Sequence, residues 1–416
     1  MQPERLLQTF LDLVTIDAPS GKEGNVAQYC QKALTDLGME VRFDNSTEQT
    51  GSETGNLVAW MPPLFPEGFS ENEGQSEQLS PIVLTAHMDC VQPCEGIEPE
   101  IVKKDEQDAE AFIRSKGETI LASDDKAGVA AILEAIQCIV ESECPHRGIV
   151  VVFTVCEEIG CIGAKYLEQK LFTHALVEAG AKLASDQPAN PDSAPVFESG
   201  VSCAVFDSGG VAGTLIVGAP YHYTFTAQIT GRASHAGVEP EAGISAITIA
   251  CEAIASMSWG RLDETTTSNI GKIEGGQVNN IVAQSCTVTG ECRSLIKERV
   301  EEVKADITQA FEDATKKYSS TPETSLDLQW NFEYPGFYYN ESDALLVQMK
   351  EALTKAGLSP IYETTGGGSD ANILGSKGVS PVVIGVGMTN FHTVDEYIKI
   401  KDLEDSARFA TELMKI

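Results

Sequence analysis

Three apolar runs, each closing on a short polar motif, fill residues 81–163 and limit what this chain can fold into. Ile82-Val83-Leu84 leads into Thr85-Ala86-His87-Met88-Asp89, and Thr119-Ile120-Leu121-Ala122 leads into Ser123-Asp124-Asp125-Lys126-Ala127-Gly128. The run from Ile149 to Val155 leads into Cys156-Glu157-Glu158-Ile159-Gly160. Strands buried on both faces of a parallel sheet read as unbroken apolar runs, and open α/β sheets bind ligands beyond the carboxyl ends of their strands. Three such ends would direct the imidazole of His87 and the carboxylates of Asp89, Asp124, Asp125, Glu157 and Glu158 into one crevice. Hard oxygen donors with a few imidazoles and no required thiolate suit a divalent metal site.

At 416 residues the chain exceeds a typical single core, so two domains are expected. Sixty-two acidic residues against 29 basic ones give a formal charge of -33. Such a field repels phosphate backbones and anionic lipid, so neither nucleic acid nor a membrane surface is an expected partner. No apolar run reaches the roughly 18 residues that span a bilayer. Leu6, Leu7, Phe10, Leu11 and Val14 have amphipathic helix spacing, unlike a signal peptide's apolar block. A cytoplasmic location is therefore expected, with the 11 scattered cysteines reduced.

Taken in order, residues 1–44 read as two helices and a strand, with Ser20 or a neighbour capping the second helix and Gly38 ending it. Residues 62–80 and 184–195 read as polar loops. Strand, turn and helix then alternate around the motifs, which argues for a parallel sheet with right-handed crossovers. From about residue 219 the texture changes to β-α-β-β-α-β, the order of a ferredoxin-like sandwich, and from residue 334 the first texture returns. The expected fold is thus α/β. Residues 1–218 and 334–416 form a mostly parallel, metal-binding catalytic domain, and residues 219–333 form an inserted α+β domain.

His87-x-Asp89, Asp124-Asp125-Lys126-x-Gly128, Glu157-Glu158, a later Asp and a C-terminal His resemble, in order, the co-catalytic zinc peptidase family. That family includes peptidase T, carboxypeptidase G and succinyl-diaminopimelate desuccinylase, and the likeness is greatest to the peptidase T-like branch. The resemblance implies two divalent ions, zinc foremost with cobalt or manganese as alternatives. It places His87 and Asp207 on one ion, Glu158 and His392 on the other, and Asp124 between them, with the Asp124–Asp125 peptide cis. Glu178 and Asp186 are acidic alternatives to Asp207 in the same stretch. Asp89 would orient His87, and Glu157 would act as general base.

The same resemblance makes Gly231-Arg232-Ala233-Ser234-His235-Ala236-Gly237 a lid motif, whose His235 reaches a partner subunit's site and stabilises the oxyanion. It implies a homodimer through the inserted domain, with Asn280, Arg293, Gly367 and Gly368 touching substrate. The expected activity is hydrolysis of short peptides, aminopeptidase or tripeptidase in kind. An N-acyl amino acid hydrolase or carboxypeptidase is the alternative, and a non-catalytic metal-binding protein the second. One departure stands out: tripeptidases of the family carry arginine where Gly366 begins Gly366-Gly367-Gly368-Ser369-Asp370.

Simpler readings compete at each position. A lone strand histidine is usually a hydrogen-bonded core residue, and Asp124-Asp125 alone could merely favour a helix N-terminus. Glu157-Glu158 after an apolar strand would be costly if buried without partners, which favours the metal reading. His146, His174 and His222 read as structural or surface residues.

Overall fold

A computed structural model describes residues 1–66, 80–103, 110–188, 193–318 and 324–416. Most of the expected 62–80 loop and positions 189–192 of the second loop lie outside the described residues. The chain divides into two compact units. One comprises residues 1–217, 339–364 and 369–416, and the other 218–338 and 365–368.

The first unit is built on a mixed sheet whose centre is parallel. Ile149–Thr154, Ile82–His87, Ser202–Gly209 and Ser380–Thr389 lie side by side in that order, all parallel. Antiparallel neighbours extend it: Leu57–Met61 and Glu40–Phe43 on one side, Tyr397–Lys399, Phe112–Lys116 and Glu98–Val102 on the other. Parallel pairing thus joins the four central strands, and these flanking pairs are antiparallel. Every residue of Ile82–His87 and Ile149–Thr154 is buried, as their unbroken apolar runs require. Burying each Leu, Val or Phe side chain there contributes about 1.5–3 kcal/mol.

Helix Ser123–Glu141 packs on strand Ile82–His87 and against helices Pro3–Val14 and Ile400–Met414. Leu6, Phe10, Leu13 and Val14 supply the buried face of Pro3–Val14. Arg5 forks onto the carboxylate of Glu134 at 2.7 and 3.0 Å, tying the first helix to the central one. Glu134 is buried, so this pair is shielded from the screening that weakens surface ion pairs. Gly38, at φ +84°, ends helix Gly24–Asp36 in the left-handed region that glycine reaches without steric cost.

Two local expectations are overturned. Residues 119–122 form no strand. The main-chain N–H groups of Leu121 and Ala122 donate instead to the Glu396 carboxylate at 2.8 and 2.9 Å, and Ala122 takes a positive φ of 60°. Ser20 does not cap helix Gly24–Asp36, which has no side-chain cap at Glu23. Its hydroxyl donates to Asp89 Oδ2 at 2.6 Å, a buried charged acceptor that outcompetes a neutral local one.

The second unit is an antiparallel sheet in the order Gly260–Arg261, Thr266–Gly275, Ser285–Ser294, Tyr221–Thr230, Ser325–Tyr334. Helices Ala246–Ala255 and Lys297–Lys316 pack on it. Phe225, Ile229, Val288, Ile307 and Phe311 are among its buried core.

No helix among the described residues is long and apolar enough to cross a membrane. All 11 cysteines are free.

Candidate metal centre

His87 ends the buried strand Ile82–His87, and its ring is 2% exposed. Nδ1 lies 3.0 Å from the main-chain oxygen of Asp89 and 3.5 Å from that residue's Oδ1. These contacts fix the ring so that Nε2 faces Asp124 Oδ1 at 3.0 Å and Asp207 Oδ1 at 3.6 Å. On the far side, His392 Nε2 lies 3.0 Å from Asp124 Oδ2 and 3.0 Å from Glu158 Oε2. The two oxygens of one carboxylate therefore face two different imidazoles. Within the first unit the structure assembles His87, Asp124, Glu158, Asp207 and His392 into one contiguous cluster.

Each member is held by a different device. Asp124 precedes the regular part of helix Ser123–Glu141, because Asp124 and Asp125 have non-helical dihedrals and the peptide between them is cis. Asp125 accepts from the His87 N–H at 3.1 Å and the Gly128 N–H at 3.2 Å. Glu396 Oε1 accepts from Asp124 N at 3.1 Å and Ser123 Oγ at 2.5 Å. Asp89, fully buried, accepts from Glu157 N at 2.9 Å and Glu158 N at 3.2 Å, so it ties the first motif to the third. Cys156 and His392, with φ of 54° and 63°, carry left-handed backbone that non-glycine residues seldom adopt. Asp207 sits within strand Ser202–Gly209, whereas Glu178 and Asp186 are exposed and outside the cluster.

Glu157 stands beside the cluster. Its Oε1 accepts from Cys161 Sγ at 3.3 Å, and a carboxylate oxygen of Asp370 lies within 4.8 Å of these two groups. Asp370 accepts from Thr154 Oγ1 at 2.5 Å. Burial, then the charge of Asp207, pushes the Glu157 carboxyl well above the ordinary glutamate range. Burial also raises Asp207, to about 7. Burial alone would lower the His87 pKa, but Asp207 and Asp124 outweigh it and raise it well above the ordinary value. Burial would likewise raise Asp124, and contacts from His392 and His87 reverse that. So many acids in a shared buried space repel one another, and a divalent cation relieves that repulsion. The donor set fits such an ion in both chemistry and charge: two imidazoles, three surrounding carboxylates and no thiolate.

The remaining expected site residues belong to the second unit. His235 is exposed, with Nδ1 accepting from Gly237 N at 3.2 Å, and Ala236 N donates to Asn280 O at 2.9 Å. Arg293 donates to Gly366 O at 3.1 Å, Tyr334 Oη at 3.3 Å and Glu291 Oε2 at 3.0 Å. Gly367 N donates to Thr365 Oγ1 at 3.0 Å, and a Cβ on Gly368 would meet the Tyr334 ring at 2.2 Å. His222 lies 2.9 Å from Glu291, His146 Nδ1 2.7 Å from the Arg147 carbonyl, and His174 packs its edge on Trp60. His146 and His222 are buried, and His174 is exposed at the surface.

Ser20, Asp370 and Glu396 support the cluster without having been anticipated as site residues, while Asp125, one of the expected crevice carboxylates, holds the main chain of His87 and Gly128. Asp125 and Asp370 stand in motifs already singled out. Ser20 and Glu396 carry no local signal, since their partners are distant in sequence.

The sequence profile of peptidase family M20/M25/M40 matches residues 83–416. The Bacillus subtilis protein YqjE is 34% identical over 412 residues, 99% of this chain and 98% of its own length. Among solved structures, aminopeptidase PepT of Bacillus cereus is 35% identical with a TM-score of 0.83, covering 100% of this chain and 98% of that one. A tripeptidase of Staphylococcus aureus is 34% identical with a TM-score of 0.82 and the same coverage.

Proposed function

Because this chain belongs to peptidase family M20/M25/M40, we propose that it is a metal-dependent aminopeptidase, tripeptidase-like, that cleaves an amide bond in short peptides. The observation that carries this reading is the division of the Asp124 carboxylate between His87 and His392, each 3.0 Å away. His87, Asp207 and Asp124 would hold one divalent ion, and Glu158, His392 and Asp124 the other, zinc foremost and cobalt or manganese as alternatives. When bound, such a pair supplies Lewis acidity toward the scissile carbonyl and makes the attacking water more acidic.

The residues of the chain do the rest. Glu157 takes a proton from the attacking water onto its carboxylate and later delivers it to the leaving amine nitrogen. Its burial beside Asp207 supports that role, because raising the proton affinity of the carboxylate favours taking the proton from water. Asp89 keeps the His87 ring oriented and holds the main chain of Glu157 and Glu158 in register. His235 would donate to the oxyanion that develops on the scissile carbonyl, in the site of a partner copy within a homodimer. Asn280, Arg293, Gly367 and Gly368 would receive the substrate.

A second reading rests on Gly366, which offers only a main-chain carbonyl, to Arg293, where the resemblance to tripeptidases implies an arginine. It makes the substrate an N-acyl amino acid. Hydrolysis of a panel of tripeptides, dipeptides and N-acyl amino acids by the zinc- or cobalt-loaded protein decides between them. Release of the N-terminal residue from free-amine tripeptides supports the first reading. Cleavage confined to N-acyl substrates replaces it with the second.

A further inference from the structure

At the opposite ends of the same central strands lies a second cleft, of about 450 Å³. Ser202 and Ser380, the first residues of their strands, line it, and so does Arg147, two residues before Ile149–Thr154. Helix Ala344–Lys355 contributes Leu345, Val347 and Gln348. Six residues of strand separate this level from the candidate metal centre, about 20 Å at the usual rise.

Arg147 is 7% exposed. Its Nε has no hydrogen-bond partner, and among the described residues its guanidinium makes no ion pair. Burial alone, unopposed by any carboxylate, lowers its pKa to about 10. Close by, Gln348 Oε1 accepts from Ser202 Oγ at 2.8 Å, which leaves its buried Nε2 without an acceptor. Two donors on one cleft are therefore unsatisfied, and one of them carries a full charge. An unpaired buried cation is destabilising, so buried charges are ordinarily paired.

The missing partner must be an acceptor with negative charge. A guanidinium fork matches carboxylate and phosphate geometry. Lys355 and Lys415 also line the cleft, against the carboxylate of Glu351 and the terminal carboxylate of Ile416; Lys415 is engaged by Glu412 at 2.5 Å, and Ile416 makes no ion pair with Arg147. Surface charges beyond a Debye length, about 8 Å at physiological salt, are largely screened, so local donors decide binding there. Leu345, Val347 and Ile416 add an apolar wall, and Val347 and Ile416 are 42% and 41% exposed. We propose that this cleft binds a small organic anion, a carboxylate joined to a short aliphatic portion, at a site separate from the hydrolytic one.

The test uses the metal-loaded full chain, with calorimetric titration and thermal shift against hexanoate, phosphate and chloride at matched ionic strength. The expected result is saturable hexanoate binding that raises Tm. Arg147→Gln should weaken that binding at least about tenfold, the worth of a charge-assisted pair. Its metal content and anion-free peptidase kcat should stay within about twofold of wild type. If Arg147→Gln does not fold, Gln348→Leu, which removes the other donor, should weaken hexanoate in the same direction. Absence of saturable binding overturns the proposal, as does hexanoate affinity unchanged in both variants, which would place the anion at the metal centre. Phosphate binding as tight as hexanoate would overturn the assignment of an organic anion.

Discussion

Glu396 accepts a hydrogen bond from the main-chain N–H of Asp124 at 3.1 Å, across 272 residues of sequence. The same carboxylate receives Leu121, Ala122 and Ser123, so one buried acid holds the whole turn that presents Asp124 to two imidazoles. Glu396→Ala would strand those donors in a buried setting, at about 1–3 kcal/mol for each left unsatisfied. Urea denaturation should show a loss of several kcal/mol. Metal titration should show about 10–100-fold weaker binding, the usual cost of losing a group that orients a ligand. Wild-type metal affinity in a folded Glu396→Ala protein would remove this role.

Gly128 has no space for a side chain. A Cβ there would lie 2.2 Å from the main-chain oxygen of Phe206 and 2.5 Å from Asp125 Oδ1. Main chain cannot step aside as a flexible side chain can, so Gly128→Ala should push the start of helix Ser123–Glu141 off strand Ser202–Gly209. That displacement separates Asp124 from Asp207. The expected outcome is a stability loss of about 1–3 kcal/mol, the usual cost of overpacking, together with reduced metal content by elemental analysis. A variant with wild-type stability and full metal content would contradict it.

How far these features could be read from the sequence depended on where their partners lay. Ile82–His87 and Ile149–Thr154 were legible because a strand buried on both faces must be apolar throughout. Residues 119–122 looked the same and are not a strand. An apolar run reports burial, not pairing, and here the pairing partner is the Glu396 carboxylate. Ser20 was legible as a capping type, yet nothing local announces that Asp89, 69 residues on, will claim its hydroxyl. Asp207 could be separated from Glu178 and Asp186 only by its place on a central strand, which brings it within 3.6 Å of His87.

In the second unit, hydrogen bonding by His222, then by Arg293, holds the Glu291 carboxyl down to about 2 from 4.5. A depressed folded-state pKa gives stabilisation that is complete above the unfolded value and is lost as pH falls through the folded one. The Tm advantage of wild type over Glu291→Gln should therefore be present at pH 5 and shrink between about pH 4.5 and 2. A gap equally large at pH 2.5 would show that Glu291 contributes no such linkage.

Metal-dependent amide hydrolysis here depends on Glu157 as the proton carrier. The most direct measurement compares Glu157→Gln with wild type, reading turnover of a cleaved peptide and bound metal in the same samples. Gln is nearly isosteric and cannot carry the proton, so turnover should fall by at least about 10²–10⁴-fold, the typical contribution of general acid–base catalysis. Metal content should stay at the wild-type level. Turnover within a few-fold of wild type, with metal retained, would contradict the account.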